Sequence, residues 1–143
     1  MPRTPLFQPT SLPPRLTYER LLRELNARFG TISRALAAFA EPFPLTYGTT
    51  VVVNAVASTY FTLTVTNGVG FTIAFPTNLA VGQPIVLDIL NSSGGALGVV
   101  TFGAGYLLAG AFVAPADTKR RVYAFRAVTA TTLVEQHRSA ADI

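Results

Sequence analysis

Apolar residues recur along this chain with two different periods, and the period changes near residue 49. From Tyr18 to Phe39 the apolar positions are Tyr18, Leu22, Leu25, Phe29, Ile32, Leu36 and Phe39. They are separated by alternating gaps of four and three, the spacing of a heptad seam. The pattern predicts one helix over residues 16–41. Thr17 is placed to cap it, and Glu19 lies in the first turn, where the helix dipole favours an acid. Glu19 with Arg23 and Glu24 with Arg28 form i,i+4 pairs in the favourable order. Gly30 costs such a helix about 1 kcal/mol relative to alanine and marks a point where it can break. Pro42 and Pro44 end it. Two readings of the stripe stand side by side. It is either a seam that needs partner helices or the buried face of one amphipathic helix on its own chain's core.

From Thr49 onward the period is two. Phe61, Leu63 and Val65 alternate with Thr62, Thr64 and Thr66, the pattern of a half-buried strand. Asn67-Gly68 signals a turn whose loop, with Val69-Gly70, is longer than a minimal hairpin. Phe71, Ile73 and Phe75 line one face of the next strand, which Pro76 ends. Ile85, Leu87 and Ile89 line another and put Asp88 on the opposite face. After Ser92-Ser93-Gly94-Gly95 the chain returns over residues 98–102. The glycine- and alanine-rich stretch 103–116 is expected to be irregular, and strands follow over 119–128 and 133–138. About seven strands separated by turns predict a mainly β fold, an antiparallel β-sandwich or a small barrel-like domain over 49–143. Residues 42–48 read as a linker. Residues 1–15, with prolines at 2, 5, 9, 13 and 14, read as an extended arm. Such an arm is either a loose terminus or a stiff strap that loses little entropy on docking.

Charge sharpens this picture. Half of the 143 residues are hydrophobic and 13% are charged, and between Glu41 and Asp117 the only charged residue is Asp88. So uncharged a middle is expected to be covered by other copies or by a partner. No apolar run approaches the roughly 20 residues of a spanning helix, and the strands are too few and too short for an outer-membrane barrel, so no membrane partner is expected. The start of the chain has no apolar core of a secretory leader. The net charge is +4, with six of eleven basic residues in the first 34 positions. Those arginines are scattered among leucines and form no dense patch, so no nucleic-acid partner is expected.

Candidate chemistry is sparse. There is no cysteine, so no disulfide or thiolate metal site exists. His137 is the single histidine, to be read as a general base or as a surface residue on an edge strand. Asp88, Asp117, Glu135 and Asp142 are isolated in sequence and compose no metal-ligand cluster or acid/base pair. No glycine spacing matches a phosphate loop. No enzyme activity, cofactor or metal is expected. Lys119, Arg120 and Arg121 make the one tight basic run, either an ordinary loop flank or an electrostatic contact with an acidic neighbour.

The C-terminal part carries a resemblance. Phe71-Thr72-Ile73, the segment Gly82-Gln83-Pro84-Ile85-Val86-Leu87-Asp88-Ile89, the turn Asn91 to Gly98, and Leu108 to Ala116 resemble a trimeric β module of tailed-phage virion proteins. Lys119 to Phe125 and Val134 to Ile143 are similar to the end of the same module, although Thr131-Thr132-Leu133 stands where an Asp-Gly turn and a tryptophan are expected. The resemblance covers roughly residues 60–143. It implies a β-tulip type of fold and a homotrimer located on the virion. The expected role is capsid decoration (cement), with the major capsid protein or another virion component as partner. The alternative is a head, neck or tail fibre or spike whose β domain meets a host receptor. On this reading the seam Tyr18, Leu22, Leu25, Phe29, Ile32, Leu36 and Phe39 joins the subunits, and Arg3, Leu6, Phe7, Leu12 and Arg15 of the arm anchor to the capsid.

Overall fold

The computed structural model describes residues 22–30, 41–140 and 142–143. The chain divides into two units, Met1–Leu36 and Ala37–Ile143. In the first unit, residues 22–30 form a helix, α1, as the heptad spacing predicts. The rest of the expected helix and the whole of the expected arm, with Tyr18, Ile32, Leu36 and Phe39 and with Arg3, Leu6, Phe7, Leu12 and Arg15, lie outside the described residues.

In the second unit the period-two tract becomes nine strands among the described residues: β1 (Phe43–Leu45), β2 (Thr50–Val51), β3 (Tyr60–Val65), β4 (Phe71–Ile73), β5 (Pro84–Asn91), β6 (Val100–Phe102), β7 (Tyr106–Leu107), β8 (Arg120–Thr129) and β9 (Thr132–Arg138). They make a six-stranded sheet, ordered β1-β3-β5-β8-β9-β7, and a three-stranded sheet, ordered β2-β4-β6. Within the first, β1, β3 and β5 run parallel. Within the second, β2, β4 and β6 also run parallel. The chain therefore crosses from one sheet to the other and back, and each crossing lays a new coil beside the last. The result is a short solenoid-like stack of three coils. The antiparallel hairpin β8–β9 closes one end by pairing on β5.

The fold is mainly β, as expected, but the expected antiparallel sandwich or barrel is corrected. Antiparallel pairing is confined to β5, β8 and β9. Alternation of side chains identifies a strand and its buried face, and it carries no information about the direction of the neighbour. Residues 66–70 do not fold β3 back on β4. They turn a corner, because β3 and β4 belong to different sheets. The linker expected over 42–48 is corrected too, since it contains β1, whose Phe43 and Leu45 align with Phe61 and Leu63.

The predicted inward faces hold. Phe61, Leu63 and Val65 of β3 and Ile85, Leu87 and Ile89 of β5 are all buried. Register places Phe43, Phe61, Leu87 and Tyr123 side by side across the large sheet. From the small sheet Val51, Ile73 and Phe102 face the same core. Phe102 joins the layers, with its ring 5.1 Å from Tyr106, 6.1 Å from Phe125 and 6.4 Å from Tyr123. Where the coils turn, backbone meets backbone. A Cβ on Gly98 would lie 2.5 Å from the Gly70 nitrogen and 2.6 Å from the Gly68 carbonyl oxygen, so this corner stacks only because both layers lack side chains there.

Candidate functional site

Two surfaces carry sequence candidates that the structure describes, and a third is a groove at which the sequence offered none. The first is the apolar stripe of α1. Leu22, Leu25 and Phe29 recur at i, i+3 and i+7 and share one face. All three are exposed, at 40%, 47% and 58%. Burying one such side chain gains about 1.5–3 kcal/mol, which a single copy leaves unused.

The second is the basic run. Arg120 lies on the outer face of β8 and donates from Nη1 to Asp88 Oδ2 at 2.9 Å. Arg121 lies on the inner face and places its fork on Asp142 Oδ1, at 3.0 Å from Nε and 2.8 Å from Nη2. Both arginines are thus engaged by carboxylates of the same chain. Lys119 is exposed and has no ion pair among the described residues. An acidic neighbour would meet Lys119 together with the part of Arg120, 46% exposed in its side chain, that Asp88 leaves uncovered.

Asp88 is the centre of a cluster that the sequence pattern only half revealed. Alternation puts it on the outer face of the large sheet, yet it is 4% exposed. Its Oδ2 accepts from the Tyr60 hydroxyl at 3.1 Å as well as from Arg120. Burial, followed by the Asp88 carboxylate beside it, raises the Tyr60 phenol above its ordinary range, so this hydroxyl is a donor at neutral pH. Oδ1 has no donor among the described residues.

A second cluster lies on the inner face of β9. Glu135 accepts from Arg138 Nη2 at 2.6 Å, from Arg138 Nε, and from the Ala109 amide at 2.9 Å. Arg138 also donates from Nη1 to the Ala111 carbonyl at 2.7 Å, and its guanidinium carbon lies 5.3 Å from the centre of the Tyr123 ring. The Tyr123 hydroxyl donates to the Val113 carbonyl at 2.6 Å. Together these bonds clasp the stretch 109–113, which forms no strand, onto the large sheet. Residues three apart in a regular strand face opposite ways. Here the register shifts, so Glu135 opposes Phe125 while His137 opposes Ala124 and Arg138 opposes Tyr123. This bulge brings Glu135 and Arg138 to one face, and no periodicity in the sequence announces it. His137 is exposed on the other face.

The third surface is the end of the stack where β1 and β2 are the outermost strands. A groove of about 450 Å³ runs along it, lined by Phe43, Leu45, Tyr47, Thr50 and Val52 among others. A smaller one of about 240 Å³ continues past Tyr47 to Asn67 and Gly70. The Tyr47 hydroxyl is 2.6 Å from Asn67 Oδ1 and closes that corner. The lining contains no ionisable group apart from the tyrosine phenol.

Among the described residues no three histidine or carboxylate side chains come together as metal ligands, and no helix is long and apolar enough to cross a membrane. Comparison of the chain with protein-family models, with curated proteins and with solved structures finds no match.

Proposed function

We propose that this chain is a non-enzymatic structural protein of a tailed-phage virion, most specifically a trimeric capsid decoration protein. The observation that carries the reading is the stripe Leu22, Leu25 and Phe29. It is presented to solvent by a single copy, on a helix whose flanks carry the charges. Subunits associate through this seam, and the arm 1–15, with Arg3, Leu6, Phe7, Leu12 and Arg15, straps onto the major capsid protein. The charge distribution supports the same division of labour. The five acids of the β unit, Glu41, Asp88, Asp117, Glu135 and Asp142, are balanced by Lys119, Arg120, Arg121, Arg126 and Arg138, so the whole net charge of +4 resides in residues 1–40. That basic segment suits an acidic shell, and the neutral β unit suits close packing against copies of itself.

The test is location. Immunogold labelling and quantitative mass spectrometry of purified virions are expected to find the protein spread over the capsid lattice. Deleting residues 1–15 is expected to abolish attachment while leaving the oligomer folded. Particles without the protein overturn the virion reading, and unchanged binding by the truncated chain removes the arm from it.

A second reading, a head, neck or tail fibre or spike, is favoured by one feature of the fold. A parallel stack of coils grows along a single axis and suits a projecting rod. A few copies at the vertex or tail, in place of lattice-wide labelling, decide for it.

A further inference from the structure

The coil stack ends differently on its two sheets at β1 and β2. In the large sheet the outermost strand is β1, and Pro44 is its middle residue. Proline has no N–H, so the ladder to β3 runs through Phe43 and Leu45, and Pro44 faces the free edge. That edge offers no donor at its centre. In the small sheet the outermost strand is β2. Here the Thr72 amide donates to the Thr49 carbonyl, the Ala74 amide to the Val51 carbonyl and the Thr77 amide to the Val53 carbonyl. In an extended strand successive residues point their backbone groups to opposite sides. Residues 49, 51 and 53 therefore serve β4, and the N–H and C=O of Thr50 and Val52 point away from the sheet. Val52 is 61% exposed. One edge is blunted and the other is open, with an uncharged groove beside it.

We propose that the β2 edge is a self-pairing site, at which β2 of a second copy adds antiparallel about a twofold axis through Val51. Antiparallel hydrogen-bonded pairs exchange both of their N–H···O bonds. Pairing Thr50 with Val52 of the second copy, and the reverse, satisfies all four outward N–H and C=O pairs. It joins two three-stranded sheets into one of six strands. A contact of this kind sets a surface against itself, so any net charge on the surface opposes it. Residues 42–87 contain no Asp, Glu, Lys, Arg or His. A second copy is therefore the occupant that electrostatics leaves unopposed. The pairing uses no residue of α1, and each copy brings one such edge, so it at least doubles the mass of whatever oligomer the seam makes.

The experiment is sedimentation equilibrium of the full chain over a wide concentration range, joined to hydrogen exchange. The wild type is expected to show species of at least twice the mass of its dilute form. The Thr50 and Val52 amides are expected to exchange about tenfold more slowly when they form. Val52→Pro removes an outward N–H without touching the ladder to β4, and Val52→Lys sets like charges face to face. Both are expected to lose the doubling. Leu25→Asp, which acts on the seam, is expected to keep it on a smaller base. Absence of doubling in the wild type overturns the proposal, as does doubling that survives both Val52 variants.

Discussion

Glu135 is 7% exposed in a domain with few charges, and its pKa follows from what surrounds it. Burial pushes the carboxyl up, but the Arg138 fork and the Ala109 amide outweigh burial and hold it below the ordinary carboxylate range. Asp142 is also held low, by the Ala116 amide and the Arg121 fork. A carboxyl depressed in the folded state stabilises the fold above its unfolded pKa and loses that contribution as pH falls through its folded value. Stability is therefore expected to be flat from neutral pH to about pH 5 and to fall in more acidic solution, as denaturant melts at a series of pH values would show. Arg138→Met leaves a buried carboxylate with only the Ala109 amide. It is expected to cost about 3 kcal/mol at neutral pH and to make the acid limb shallower; an unchanged pH profile would mean that the clasp contributes little. Gly98 poses a steric question at the same scale. Gly98→Ala forces its Cβ into the Gly70 and Gly68 backbone and is expected to cost about 1–3 kcal/mol, read from the shift of the urea midpoint. The same change at Gly110, where a Cβ meets nothing within 4 Å, is the control.

Among the elements, β5 joins the parallel stack to the antiparallel hairpin, and its last residue fastens both to the loops. Asn91 is fully buried. Its Nδ2 donates to the Gly95 carbonyl at 2.8 Å and to the Pro115 carbonyl at 3.0 Å, while its Oδ1 accepts from the Ser93 amide at 3.0 Å. Asn91→Ala strands the Pro115 carbonyl and the Ser93 amide, while the Gly95 carbonyl keeps the Ser93 hydroxyl as a donor; each stranded group costs about 1–3 kcal/mol if left without water. It is expected to lower the thermal midpoint more than Leu90→Ala on the outer face of the same strand. The β5 periodicity made its inward row readable from sequence, and the same holds for β3, because a buried face imposes period two whatever lies alongside. The stacking of coils was not readable, although each coil repeats a local pattern, Thr50-Val51, Thr72-Ile73 and Thr101-Phe102. Those threonines are 22 and 29 residues apart, and the aligned Phe43, Phe61 and Leu87 are 18 and 26 apart. Corner loops of unequal length remove the fixed period by which a solenoid is recognised. Asp88 was legible as an outward residue, whereas its burial with Tyr60 and Arg120 depends on register across three strands and leaves no sequence signal.

At the scale of the whole molecule, the helical stripe separates a fold held by its own core from an assembly held by its surfaces. Leu25 is 47% and Phe29 58% exposed in one copy. A charge at either position meets solvent if the chain acts alone, and exposed substitutions of that kind change stability by about 0.5 kcal/mol or less. In a shared seam the same charge is desolvated against apolar partners, and the cost rises to several kcal/mol. Leu25→Asp thus discriminates between a stripe left in solvent and a seam shared between copies. Light scattering on a size-exclusion column is expected to give three times the 15.2 kDa chain mass for the wild type at low concentration. The variant is expected to fall to the single-chain mass with the near-ultraviolet signal of the β unit and its denaturant midpoint unchanged. A wild type that elutes as one chain would remove the threefold seam. A variant that keeps its mass would mean that the subunits meet elsewhere, with the β surfaces holding the assembly.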